Sequence, residues 1–291
     1  MAEILKGAPV AEALGEKMKR DVESLKDAGV TPTLAIVRVG EKGSDLAYEK
    51  GAVKRCESVG VAARRVTFPE NVPQDELLAG IEALNAETGV HGVLILRPLP
   101  EHIDDETVRR TLAPKKDVDG ITDGSLAAVM SGRGAGFYPC TAQACMEILD
   151  YYKIECKSAR ATVIGASLVV GLPTTVLLTN RFATVTNCHI FTKDVSTPAR
   201  GAEILVSAAG KAGLVGKNHV SPGQIVIDVG INFTSEGKMV GDVSFDEVEP
   251  VVKAITPVPG GVGTVTTSVL VSHVVEAAVK SVTVADASVQ E

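Results

Sequence analysis

Apolar side chains at Val10, Ala13, Leu14, Met18, Val22 and Leu25 recur three and four positions apart, which predicts a helix over residues 8–29 with one buried face. The period then shortens. Thr33-Leu-Ala-Ile-Val-Arg-Val39 reads as a strand stopped by Gly40, and Asp45 to Val59 returns to helical spacing. Ala62 to Phe68 is expected as a strand and Gln74 to Ala86 as an amphipathic helix. Val90 to Leu96 is an apolar strand ended by the turn Arg97-Pro-Leu-Pro100, and Asp104 to Leu112 is a short helix. Strand and helix alternating in this way predict parallel βαβ units.

The pattern lapses at Gly132, Gly134 and Gly136, and a helix from Thr141 to Tyr152 follows, so the hinge between two domains is expected here. Beyond it, strands at Ala161–Ile164, Ala183–Asn187, Ile204–Ala208 and Gln224–Val229 come at short intervals. That spacing suits a doubly wound sheet, in which ligands sit beyond the strand C-termini. Thr256 to Gly263 is expected to be neither helix nor central strand, because of Pro257, Pro259 and the glycines after them. A last helix, Thr266 to Val282, is expected to fold back onto the first domain, with a frayed polar tail behind it. The 291 residues suit domains at 1–140 and 141–265, with 266–284 returning to the first.

The stretch Ala161-Thr-Val-Ile-Gly165-Ala-Ser167-Leu-Val-Val-Gly171-Leu-Pro173 is where a ligand is first expected. A buried strand ends at Gly165, and free N–H groups in the first turn of the next helix, backed by its dipole, favour a phosphate. The spacing G-x-S-x-x-x-G departs from the usual dinucleotide fingerprint, so a ligand-free turn stands beside that reading. Composition narrows the partners. Aromatic residues are 3% of the chain, so the cores are aliphatic. A net charge of −7 without a Lys/Arg block argues against nucleic acid or an anionic membrane. No apolar run of membrane-spanning length and no secretory signal are seen. The five cysteines and five histidines lack metal-ligand spacing, which points to reduced thiols, a cytoplasmic protein and no metal site.

Further loops follow strands: Arg97-Pro-Leu-Pro100, Lys116-Asp-Val-Asp-Gly120, Asp228-Val-Gly-Ile-Asn232 and Pro257 to Gly263. Singly each reads as a turn or a cap; together they point to a cleft. With Val39-Gly40 before Tyr48, Pro139-Cys-Thr141, Val163-Ile-Gly-Ala-Ser167, Gly241-Asp-Val243 and Ile255-Thr-Pro-Val-Pro-Gly-Gly-Val-Gly263, they resemble the methylenetetrahydrofolate dehydrogenase/methenyltetrahydrofolate cyclohydrolase family over residues 3 to 284. The resemblance implies an α/β fold with an N-terminal βαβ-type folate domain, a Rossmann-like doubly wound dinucleotide domain, a cleft between them, and a homodimer. It implies that Tyr48 packs on the pterin and Asp119 hydrogen-bonds it, both as catalytic-site residues. Leu96, Pro98, Leu99 and the Pro259-Gly260-Gly261 backbone would border the folate. The dinucleotide would lie over Gly165, Ala166, Ser167, Gly171 and Pro173, with His189, Ile190, Ala208, Gly230 and Ile231 around it.

The dehydrogenase step needs donor and acceptor carbons held close and little side-chain chemistry. Hydrolysis of the methenyl product needs a proton-transfer group. The family uses a lysine four residues after the tyrosine and a glutamine before its Leu-Pro-Leu-Pro turn; here those positions hold Ala52 and Leu96, and Arg97 replaces the leucine. Lys50 and Lys54 each lie two residues from Ala52, about 200° around a helix, and an arginine is a poor base. A dehydrogenase with weak or absent cyclohydrolase activity is therefore expected. The family often has proline at the position of Ala142 and Pro-Met-Thr at Thr264-Val265-Thr266. Members using NADP place Arg or Ser where this chain has Ile190 and Ala166, which favours NAD over NADP. A full bifunctional enzyme, a catalytically idle folate- or dinucleotide-binding regulator, and a dehydrogenase of a small acid clamped by Arg38 or Arg97 are the alternatives.

Overall fold

The computed structural model describes residues 1–289, with side chains through Thr283. The chain divides into two compact units, Ala13–Tyr138 with the residues from Thr267 onward, and Met1–Glu12 with Pro139–Thr266. In chain order the first elements are β1 (Glu3–Ile4), α1 (Gly7–Asp27), β2 (Thr33–Val39), α2 (Gly43–Val59), β3 (Ala62–Phe68), α3 (Gln74–Ala86), β4 (Gly92–Ile95), α4 (Asp105–Thr111) and α5 (Asp123–Ser131). There follow α6 (Cys140–Tyr151), β5 (Arg160–Ile164), α7 (Gly171–Asn180), β6 (Thr184–Cys188), α8 (Ser196–Gly201), β7 (Ile204–Ser207), β8 (Ile225–Asp228), β9 (Asn232–Phe233), β10 (Met239–Val240), α9 (Phe245–Val248), β11 (Ala254–Ile255) and α10 (Val262–Val289).

In the unit built on Ala13–Tyr138 three parallel strands lie in the order β3-β2-β4. The alternation along β2 sorts its two faces. Ala35, Val37 and Val39 join Val93 and Ile95 of β4 in a core with Leu77, Ile81 and Leu84 of α3 and Val108 of α4. The other face carries Leu34, Ile36 and Arg38, in register with Gly92 and Leu94 of β4. Gly92 has to be small: a Cβ there would lie 2.6 Å from Val118 and 2.9 Å from Val274 of α10. The return of α10 to this unit is also marked by buried His273, whose Nδ1 lies 2.8 Å from the Val118 carbonyl and whose ring stacks on Phe137 at 4.8 Å. Val262–Thr283 has the length and mean hydropathy, 1.4, of a membrane span, but it is mostly buried within the protein.

The other unit is a six-stranded sheet in the order β1-β11-β8-β7-β5-β6, paired in parallel throughout. The chain passes from β5 outward to β6 and then across to β7, so the order reverses between β5 and β7. The ends of those two strands are the topological switch point, where α/β sheets bind ligands. Ile164, Leu205, Val226 and Ile255 from four strands form the core of one face with Val215, Val243 and Val248.

Most element bounds expected from periodicity recur within two residues. The last helix is a correction: it begins at Val262 and continues through Val289, so the stretch expected to fray is helical up to that residue, and residues 290–291 lie outside the described residues. Burial of Val262 and Val265 outweighs the glycine between them. The pairs β1 with β11 and β9 with β10, and the helix α5, carried no periodic signal.

Two buried aspartates fasten the loops beyond β7 and β8. Asp242 accepts the N–H groups of Ala209 at 2.6 Å, Gly210 at 3.1 Å and Lys211 at 2.9 Å. Asp228 accepts those of Gly230, Asp242 and Val243, each at 3.0 Å. Burial, opposed by these donors and helped by the nearby Asp242 carboxylate, pushes the Asp228 carboxyl up to about 6. A carboxyl raised in the folded state stabilises the fold when protonated, and that contribution is lost as pH rises through the folded value. Folding stability of the wild type is therefore expected to fall between pH 4 and 7 by on the order of 3 kcal/mol more than that of Asp228→Asn. Chemical denaturation across that range checks it; matching pH profiles for the two proteins would contradict it.

Candidate active site

On α2, Tyr48 and Ala52 stand one turn apart, and Leu96 follows β4 with its N–H donating to the Val37 carbonyl at 2.9 Å. By the register of β2 and β4, Leu96 falls on the same sheet face as Arg38. That face is the one α2 covers, since Arg38 reaches Glu49 of α2. Ala52 is 0% exposed and Leu96 5%. Glu49, three residues before Ala52, is buried with both carboxylate oxygens engaged, Oε2 by Arg38 Nε at 3.0 Å and Oε1 by Arg65 Nε at 2.6 Å. Arg38 also donates to the Gly40 carbonyl. Losing one partner of such a buried pair typically costs about 3–5 kcal/mol. Asp45, a turn earlier, is buried and accepts from Ser44 Oγ at 3.1 Å. Lys50 and Lys54 are exposed.

Arg97 does not approach Ala52. Its Nε and Nη2 bind the two oxygens of Asp105, each at 2.7 Å, in the first turn of α4. The Arg97–Pro98 peptide is cis, Pro98 is exposed, and Leu99 packs against the core cluster. Lys42, at the start of α2, donates to the Pro98 carbonyl at 3.1 Å.

The two carboxylates of the 116–120 loop have different surroundings. Asp117 is fully buried and accepts from the N–H groups of Gly120 and Ile121 at 3.0 Å, from that of Thr122 at 2.7 Å and from Ser125 Oγ at 2.6 Å. It shapes the loop. Asp119 is half-buried. The parallel bridge between Val93 and Asp117 runs this loop alongside β4, so Asp119 comes level with the strand end that delivers Leu96.

In the other unit, Gly165 follows β5 at φ +124°, and a Cβ there would lie 2.2 Å from the Ala208 carbonyl oxygen. A Cβ on Gly171 would lie 2.1 Å from the Gly165 carbonyl. Both positions need glycine, because the backbone itself fills the space. The expectation of free N–H groups in the first turn of α7 is corrected. Ser167 Oγ accepts from Val170 N at 3.2 Å and Gly171 N at 3.5 Å, the Ser167 carbonyl accepts from Leu172 N at 3.1 Å, and Pro173 has no N–H. The surface beyond β5 is thus the exposed turn Ala166–Val169, which leads through Val170 directly into α7. After β6, His189 is exposed and Ile190 is 90% exposed. After β8, Gly230 packs on Asp242, where a Cβ would lie 2.2 Å from Oδ1, and Ile231 is exposed. Gly7 N–H donates to the Gly260 carbonyl at 2.8 Å and so anchors the loop of exposed Pro259 and buried Gly261.

Several contributors were not singled out from the sequence. Asn187 Nδ2 donates to the Gly165 carbonyl at 2.8 Å and to Thr175 Oγ1 at 3.2 Å, locking the glycine turn to α7. Its signal was an amide inside a strand of β-branched residues. The Glu49 pair was marked by Arg38, a charge in the apolar run Thr33–Val39. Among the described residues no group of three or more His, Cys, Asp or Glu is arranged to hold a metal ion. All five cysteines are buried thiols outside any disulfide, and burial pushes the Cys56 and Cys145 thiols up to about 12.

Two family models match the chain: tetrahydrofolate dehydrogenase/cyclohydrolase, catalytic domain, over residues 5–119, and its NAD(P)-binding domain over residues 139–282. The bifunctional protein FolD of Carboxydothermus hydrogenoformans is 48% identical over 279 residues, covering 95% of this chain and 97% of that protein. The crystal structure of the bifunctional enzyme FolD from Campylobacter jejuni superposes with a TM-score of 0.94 at 38% identity, covering 96% of this chain and 99% of that one. The Trypanosoma brucei methylenetetrahydrofolate dehydrogenase-cyclohydrolase, complexed with NADP and an inhibitor, superposes with a TM-score of 0.91 at 34% identity, covering 97% and 98%. With both halves matched and the fold shared along almost its whole length, this chain belongs to the tetrahydrofolate dehydrogenase/cyclohydrolase family.

Proposed function

We propose that this protein is a cytoplasmic 5,10-methylenetetrahydrofolate dehydrogenase with little or no cyclohydrolase activity. The observation that carries the second half is Ala52, wholly buried at the position of the family's lysine, with Leu96 buried at that of its glutamine. No neighbour substitutes: Lys50 and Lys54 face solvent, Arg97 is committed to Asp105, and Glu49 to two arginines. The same engagement of Arg38 and Arg97 argues against a small-acid dehydrogenase, which would need a free guanidinium clamp.

The chemistry follows from what remains. Hydride loss from the methylene carbon between N5 and N10 leaves a cation that both nitrogens stabilise, so this step asks for no proton transfer from the protein. A bound nicotinamide supplies the hydride acceptor. Tyr48 packs against the pterin, Asp119 hydrogen-bonds its edge with the loop held by Asp117, and Pro98, Leu99 and the Pro259–Gly261 backbone border the folate. The turn Gly165–Ser167 with Gly171, Pro173, Ala208, Gly230 and Ile231 carries the dinucleotide. Retention of this whole set also argues against an idle regulator. Hydrolysis of the methenyl cation would need water activated beside it, and a hydrogen-bonded water chain in place of the amine would give the full bifunctional enzyme that the relatives' names describe.

Purified protein given methylenetetrahydrofolate and a nicotinamide is expected to accumulate the methenyl product, and methenyltetrahydrofolate alone to decay at the buffer rate. Ala52→Lys with Leu96→Gln is expected to raise hydrolysis at least about tenfold, a conservative share of what a positioned acid/base group contributes. Brisk hydrolysis by the wild type would end the proposal. For the cofactor, Ile190 at the place where a 2′-phosphate would seek a cation favours NAD. We expect kcat/KM to favour NAD by roughly tenfold and Ile190→Arg to narrow the ratio, since a charge-assisted hydrogen bond is worth about 1.5–3 kcal/mol; a wild-type preference for NADP would reverse the assignment. Light scattering on the eluting protein is expected to give the mass of a homodimer, and a monomer mass would remove that element.

A further inference from the structure

A cavity of about 490 Å³ lies within the unit built on Ala13–Tyr138, and none of the residues described above as bordering the pterin lines it. That size lies within the range of small-molecule sites. Small apolar side chains, Ala86, Val90, Ala135 and Ala277, wall it beside the ring of Phe137. The charged residues in its lining have one sign: Lys115, Lys116 and Lys280, with no Asp or Glu among them. A cationic cluster is notable in a chain of net charge −7.

His91 adds a directed donor. The residue is 8% exposed, and its Nδ1 accepts the Thr33 N–H at 3.2 Å. Because Nδ1 accepts that bond, Nε2 carries the ring hydrogen; burial and the Lys116 charge push the His91 pKa down. Among the described residues Nε2 has no hydrogen-bond partner, although His91 lines the cavity. Lys116 Nζ is held by the Leu84 carbonyl at 2.7 Å. Lys115 makes no ion pair among the described residues, and Lys280 pairs only with Glu276, half-exposed, while resting 4.8 Å over Phe137. Exposed pairs of that kind contribute little and exchange readily.

We propose that this cavity is a binding site for an organic anion: a flat, largely apolar body against the alanine wall, with a carboxylate, sulfonate or phosphate met by Lys115, Lys280 and His91 Nε2–H. The site also has a physical route to the folate loop. Phe137 stacks on His273, His273 Nδ1 lies 2.8 Å from the Val118 carbonyl, and Lys116 opens the 116–120 loop itself. An occupant touching Phe137 and Lys116 therefore bears on the segment carrying Asp119 from both sides.

The test uses the whole protein and 1-anilinonaphthalene-8-sulfonate, which combines such a body with one anionic group. Fluorescence is expected to show saturable binding that survives saturating NAD. Lys115→Ala with Lys280→Ala should weaken it at least tenfold, and Ala277→Phe, which fills the cavity, should abolish it, with circular dichroism and Tm of both variants unchanged. Probe displaced by NAD, probe bound equally by both variants, or no saturable binding would overturn the site. The occupied protein is expected to show a shifted KM for methylenetetrahydrofolate and an unshifted KM for NAD, a readout that rests on the proposed dehydrogenase activity. An unshifted folate KM with probe bound would overturn the coupling alone, whereas absence of turnover with probe still bound would count against the dehydrogenase reading and leave the site standing.

Discussion

Three carboxylates withdrawn from water hold the loops on which the candidate site depends. Asp117, Asp228 and Asp242 each accept at least three backbone N–H groups from segments lying beyond strand ends. A loop in this position cannot complete its hydrogen bonds through a sheet ladder, and leaving buried N–H groups unpaired is costly. A buried carboxylate answers several of them at once, with charge-assisted bonds that resist rearrangement. The loops can therefore be irregular, as ligand contact requires, and still keep one shape. Asp228 and Asp242 extend the device by acting in series, since the Asp242 backbone is itself held by Asp228.

The same economy of charge governs the face of α2. An amine at residue 52 would lie in a buried region; this chain has a methyl group there, and the neighbouring Arg38, Glu49 and Arg65 side chains pair among themselves. A closed cluster of this kind orders the helix against the sheet and offers no group ready to exchange a proton. Under the proposed function, orientation of substrates and transfer of protons become separable demands on one scaffold.

Much of the fold was legible because its signals are local. The strands Thr33–Val39 and Ala62–Phe68 and the helix Gln74–Ala86 form with the bounds their periodicity implies. What escaped was either too short to show a period or decided at a distance. The two-residue strands Glu3–Ile4 and Ala254–Ile255 exist only because each finds a partner. In the glycine turn, the position of Gly165 was readable, since a strand must end there, but Ser167 turning back to satisfy the first N–H groups of α7 was not. Similarly, the motif around Lys116 was recognisable, yet which of Asp117 and Asp119 is buried depends on Ser125 and Val93, residues the spacing does not name.

The pairing of Glu3 with Ala254 sets a condition on how the protein comes into being. The edge strand of the larger sheet zips to a strand that lies most of the sequence away, so residues 3 and 254 must meet. Chain closure across so long an interval is slow compared with local helix formation. The unit built on Ala13–Tyr138 likewise waits for α10, because Gly92 and Val118 pack on Val274. Neither unit is therefore built from one continuous stretch of sequence: the six-stranded sheet needs β1 and β11 brought together, and the three-stranded sheet needs the cover that α10 supplies.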